Sequence, residues 1–123
     1  MKTIRQEILF QRCEGAAVFL AATFIYFHSG LNWIAYLLLF FAFDLSMIGY
    51  LINVRLGALI YNIVHSFITP SVLVIVYVYA GNHVMLGLIS LWFAHIGLDR
   101  ALGYGLKSTQ GFRHTHLGMI GKK

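Results

Sequence analysis

Four predominantly apolar stretches, at about residues 9–28, 31–52, 56–80 and 84–102, fill most of this 123-residue chain. Each is close to the roughly 20 residues that a helix needs to cross the hydrocarbon core of a bilayer. Backbone polar groups in lipid must be satisfied within the segment itself, so the runs predict helices. The expected fold is all-α, an integral membrane bundle of four transmembrane helices in a single membrane domain, followed by a tail over 103–123. With 59% hydrophobic and 11% charged residues and a mean hydropathy of +0.77, too few polar side chains exist to cover a soluble domain of this size. The lipid bilayer is therefore the first partner.

The turns are marked by Ser29-Gly30, Asn53-Val54-Arg55 and Gly81-Asn82-His83. Pro70 lacks an N–H, so it is expected to free the carbonyl of Ser66 and kink the third span. The apolar stretch after Met1–Arg12 mimics a signal peptide but ends in Tyr26-Phe27-His28-Ser29 without a small-x-small cleavage pattern, and is expected to be retained as the first span.

Charge orients the chain. Lys2, Arg5 and Arg12 precede the first span, Arg55 lies between the second and third, and Arg100, Lys107, Arg113, Lys122 and Lys123 close or follow the fourth. Those are all nine basic residues, and the Ser29-Gly30 and Gly81-Asn82-His83 turns hold none. Because basic residues accumulate on the cytoplasmic side, both termini are expected there, in a multi-pass plasma (inner) membrane protein. Tyr26, Trp33 and Tyr79 then fall at the outer interface. The net charge of +5 is spread over the ends and one loop rather than in a run, which argues against a nucleic-acid partner. One cysteine, Cys13, excludes an intrachain disulfide and any cysteine-based zinc motif.

The polar residues inside these spans carry the chemistry. Of the four acids, Glu14, Asp44 and Asp99 lie within or at the edge of an apolar stretch. There a carboxylate costs about 2.5–3.5 kcal/mol or more unless it is partnered. At 1.5 Å per residue, Asp44, His65 and His95 all stand about 13 to 15 Å from the cytoplasmic ends of their spans. Asp99 is one turn from His95 on the same face, and Asn62 one turn from His65. Glu14 enters at that lower level. Two imidazoles and two or three carboxylates from separate helices have the ligand chemistry of zinc, iron or manganese. The metal candidates are Glu14, Asp44, His65, His95 and Asp99, with Asn62, Arg100, His114 and His116 as supporting or capping groups.

Three other readings use the same residues. Asp99 pairing with Arg100 or Arg12, and Asp44 sharing a proton with a histidine, would make a purely structural network. Acid and histidine chains also line proton or ion paths, so a small homo-oligomeric transporter fits as well. A haem held by His65 and His95 would leave the acids unexplained. The tail, rich in glycine and in basic and aromatic residues, suits the inner membrane surface, with His114 or His116 able to cap the site and Lys107 or Arg113 able to hold an anionic head group. An open metal position facing the cytoplasm would let the ion activate water or oxygen towards a lipid-like or small anionic substrate. A second copy of the chain would help to seal a site that only four helices enclose.

Arg12-Cys13-Glu14-Gly15, Tyr61-Asn62-Ile63-Val64-His65-Ser66, the long block from Ala94 to Lys107, then Gly111-Phe112 and Thr115-His116-Leu117-Gly118 resemble the small bacterial membrane proteins of domain-of-unknown-function family 4260. The resemblance spans nearly the whole chain. It implies a four-span membrane protein, assigns no activity, and includes Glu14, His65, His95, Asp99, Arg100 and His116 among the motif residues.

Overall fold

A computed structural model of the chain describes residues 5–104, 106, 114–115 and 118–119. The described core is helical. Helix α1 runs Gln6–His28, α2 Trp33–Ala42, α3 Val54–His65, α4 Ile68–Ala80 and α5 His83–Ala101. Between α2 and α3 the chain continues as a 3-10 helix, Phe43–Leu51. His114–Thr115 and Gly118–Met119 form a two-residue antiparallel pair. His116, Lys107 and Arg113 lie outside the described residues.

Local chemistry explains the starts and stops. Asn32, Asn53 and Asn82 each stand at an N-cap, where the side-chain oxygen accepts from a backbone N–H of the first turn: Ile34 at 2.6 Å, Leu56 at 2.7 Å and Met85 at 3.0 Å. The first turn of the chain is made by Gly30, whose φ of +77° suits a residue without a Cβ.

Three helical segments are individually long and apolar enough to cross a membrane: Gln6–His28, Trp33–Leu51 and His83–Ala101. The pair Val54–His65 and Ile68–Ala80 passes only when taken together, bent by 42° at its break. Three to four candidate spans therefore mark a membrane protein. Large apolar side chains left outside, Phe24, Leu38, Leu45, Ile68 and Val78 among them, are what lipid contact requires.

Two glycine contacts set the packing. Gly15 of α1 meets Gly97 of α5 so closely that a Cβ on Gly15 would stand 2.6 Å from the Gly97 carbonyl oxygen and 2.6 Å from the Arg100 Cβ. In lipid, close backbone approach through small residues replaces the hydrophobic effect as the force between helices. On the other side Gly49 of the 3-10 helix comes against Gly57 of α3, with a Cβ at Gly49 only 3.1 Å from the Gly57 Cα. Helices α2 and α4 complete the bundle by packing on α5. A core of Ala22, Tyr26, Tyr36, Phe40, Leu91 and Ala94 joins α1, α2 and α5.

The third span breaks at Ser66, the residue whose carbonyl Pro70 was expected to free. Its backbone leaves the helix at Ser66 (φ −93°, ψ 143°) and restarts at Ile68. Pro70 sits in the first turn of the new helix, where a missing N–H has no intrahelical partner to lose. The 3-10 segment in the second span was not expected at all. Nine residues is long for 3-10 geometry, which is tighter and less well hydrogen-bonded than an α-helix.

Candidate metal centre

The two irregular segments meet at one point. Asp44 is the second residue of the 3-10 helix, and His65 is the last residue of α3. Opposite them, regular helix α5 presents His95 and Asp99 from successive turns of one face. The Nε2 atoms of the two histidines lie 3.1 Å apart. His95 Nε2 is 3.2 Å from Asp44 Oδ1 and 3.4 Å from Asp99 Oδ2. His65 Nε2 is 3.4 Å and 3.5 Å from the same two oxygens. All four donor atoms fall within 4.8 Å of one another. The histidine side chains are 3% and 1% exposed, Asp99 16% and Asp44 37%.

Apart from the Asp44–Asp99 pair, which is within 4.8 Å, these separations approach those of a coordination polyhedron. Donors bound at about 2.0–2.1 Å to a tetrahedral ion stand about 3.3–3.4 Å from each other. Five of the six pairs measure between 3.1 and 3.5 Å. Two carboxylates, two neutral imidazoles and one divalent cation also sum to zero charge, which the low dielectric of a bundle interior favours.

The surroundings prepare His65 for that role. Its Nδ1 is 3.1 Å from the carbonyl oxygen of Tyr61, which can only accept, so Nδ1 carries a proton and the neutral ring offers its lone pair at Nε2. This is the arrangement that fixes the tautomer and orientation of metal-bound histidines. The Tyr61 ring stacks on the imidazole at 3.8 Å, and Ser46 Oγ approaches Nδ1 at 3.4 Å. His95 is held between the rings of Phe40 and Phe43, at 4.8 and 5.5 Å. Its Nδ1 is buried and has no hydrogen-bond partner among the described residues.

The break after His65 exposes carbonyls that a continuous helix would have satisfied. Side chains close them. Trp92 Nε1 donates to the Val64 oxygen at 2.7 Å, Arg100 Nη2 to the His65 oxygen at 3.2 Å, and the Thr69 hydroxyl to the Ile63 oxygen. Two of these three donors come from α5, so the helix that carries His95 and Asp99 also grips the end of the helix that carries His65. The Arg100 guanidinium further lies 5.0 Å over the Phe67 ring.

Of the residues singled out from sequence, Asp44, His65, His95 and Asp99 come together, with Asp99 in the same layer as the histidines rather than below it. Arg100 reaches the His65 backbone instead of a carboxylate, and Arg12 Nε donates to the Ala101 carbonyl at 2.9 Å. Asp99, which the structural-network alternative paired with Arg100 or Arg12, contacts the two histidines. Asn62 is half-buried one turn before His65. Glu14 stands apart. It is exposed, lining a shallow surface pocket with Gln6, Glu7, Phe10 and Gln11. The reason is Gly15: its bare backbone must face α5, and one residue turns an α-helix by about 100°, which carries Glu14 off that face. Described structure at His114 ends with its place in the short β pair, and His116 is outside the described residues.

Sequence reasoning passed over Ser46, Tyr61 and Trp92. Ser46 and Tyr61 carried a usable signal, since they sit two residues from Asp44 and four before His65. Trp92 looked like any apolar residue of a span.

A family model described as a domain of unknown function, DUF4260, matches residues 8–120. The chain belongs to that family. Within this DUF4260 chain the match covers α1 through α5 and all four clustered residues. No curated protein matches the chain, and no solved structure matches it.

Proposed function

We propose that this DUF4260 protein crosses the plasma membrane four times, with both termini cytoplasmic, and holds a divalent metal ion between Asp44, His65, His95 and Asp99. The observation that carries the reading is the convergence of four donor atoms, five of their six separations between 3.1 and 3.5 Å, inside an apolar bundle. Imidazole and carboxylate donors suit zinc, iron or manganese, with zinc favoured by four-coordinate tetrahedral geometry. A broken span adds to the case: the C-terminal end of α3 carries the negative pole of its helix dipole, which favours a cation at its tip. Nitrogen atoms facing each other at 3.1 Å, with carboxylates beside them, leave no slot for a porphyrin. The one-sided distribution of lysine and arginine supports the orientation and four crossings, with the bent α3–α4 pair as one span.

A second reading rests on the same 3.1 Å contact, which is also the length of an N–H···N hydrogen bond. Under it the four residues share protons and tie the helices together without metal, in a small transporter or assembly protein.

Elemental analysis of detergent-purified, chelator-free protein separates the two. Near one equivalent of zinc, iron or manganese in wild type, lost in His95→Ala, is the expected result. Metal-free wild type that still folds overturns the metal reading in favour of the proton network. A reporter fused after Lys123 and active only on the outer side would overturn the orientation.

A further inference from the structure

We infer that the metal centre is reached sideways from the bilayer and takes an amphiphile: an apolar chain whose oxygen-donor head group, such as a carboxylate, binds the ion. This rests on the metal reading above. The two histidines are enclosed and the Asp99 side chain is 16% exposed, while that of Asp44 is 37% exposed, so the widest access to the ion lies along Asp44.

The 3-10 helix decides what that side faces. With three residues per turn, every third side chain eclipses, and the segment divides into three columns. Leu45, Ile48 and Leu51 form an exposed column, 73%, 64% and 84% accessible. Ser46 and Gly49 form a buried one against α3. Asp44, Met47 and Tyr50 lie half-buried on the seam between them. On the outward side, Asp44 is flanked by Phe41, one turn earlier and 64% exposed, and by Leu45 and Ile48. From residue 37 to residue 52 Asp44 is the single charged residue.

The outward side of the opening is therefore an apolar collar, with the character of a surface that meets lipid. A hydrated anion would have to lose its water to pass it, whereas an amphiphile can slide its head group past Asp44 with its chain still in lipid. A divalent ion bound by imidazole and carboxylate accepts such an oxygen donor. The most exposed ligand, Asp44, is the one an incoming head group would shift aside.

The test uses the full chain in lipid nanodiscs, whose two faces are both open to solvent, loaded with Co2+ as a coloured stand-in for the bound metal. Dodecanoyl hydroxamate and acetohydroxamate carry the same metal-binding head on long and short chains. The long-chain compound is expected to change the cobalt absorption bands at a concentration at least about 100-fold below that of acetohydroxamate, as burial of ten extra methylenes requires. Narrowing the collar with Ile48→Trp should raise the concentration needed about tenfold while leaving the starting cobalt spectrum in place. An equal response to both compounds, or indifference of the long-chain response to Ile48→Trp, overturns lateral access. A four-donor cobalt spectrum that neither compound alters overturns it too, in favour of a closed structural ion. Failure to take up cobalt at all would instead strike the metal reading beneath it.

Discussion

Helices α1 and α5 meet through bare backbone, Gly15 against Gly97, and both run without interruption. The second and third spans do the opposite: one tightens into 3-10 geometry at Asp44 and the other breaks just after His65. The regular pair supplies a rigid wall and two donors whose spacing follows from the helical repeat. The irregular pair supplies the two donors that no regular helix placed there, at the cost of carbonyls that Trp92, Arg100 and Thr69 must satisfy. Regularity here makes the frame, and its local failure makes the site.

The comparison predicts unequal effects on the two sides. The largest belongs to the frame. Gly97→Leu drives a side chain into the Gly15 carbonyl and the Phe19 backbone, so it should destabilise the bundle by about 3 kcal/mol or more, read from unfolding in mixed detergent. If α1 and α5 tolerate it with wild-type stability, their contact does not hold the frame.

His65→Ala and His95→Ala should come next, each lowering metal affinity by more than about 100-fold, the upper end for groups that only support a ligand. Both variants should remain membrane-inserted and helical by circular dichroism. Acidification acts through the same atoms. Protons compete with the ion for imidazoles and carboxylates, so affinity should fall with falling pH, by up to about tenfold per unit for each proton displaced. Metal binding that is flat between pH 7.5 and 5.5 would count against histidine ligation.

Arg100→Gln and Trp92→Phe test whether the break must be closed for the site to form. Each should weaken metal binding about 10- to 100-fold while leaving the α1–α5 contact and overall helicity in place. An effect on stability alone would make them structural caps and nothing more. Smallest is Ser46→Ala, whose 3.4 Å contact with His65 is long for a hydrogen bond. It should change stability by no more than about 1 kcal/mol and affinity by less than about threefold.

Much of this arrangement was legible before any fold was known. Asp44, His65 and His95 drew attention because ionisable groups in apolar spans need partners, and equal depth followed from helical rise. Glu14 misled the same reasoning, because depth says nothing about which way a side chain faces, and the glycine beside it decided the rotation of α1. Pro70 signalled the break and the Ser66 carbonyl it frees, but not what would meet the freed carbonyls. The chain leaves the helix at Ser66, where Trp92 and Arg100 of another helix can meet the freed carbonyls.

By itself the sequence determined that the chain must be helical and apolar, because the hydrocarbon core leaves backbone polar groups no other solution. It also determined which side chains would be too costly to leave alone in lipid. Only the tertiary structure decided that Asp99 joins the histidine layer, that Glu14 does not, and that a 3-10 turn leaves Asp44 half-buried beside an exposed apolar column. Those outcomes depend on how closely two glycines let backbones approach and on which donors lie opposite a broken helix end. Both are properties of contacts between segments far apart in the chain, and no local pattern encodes them.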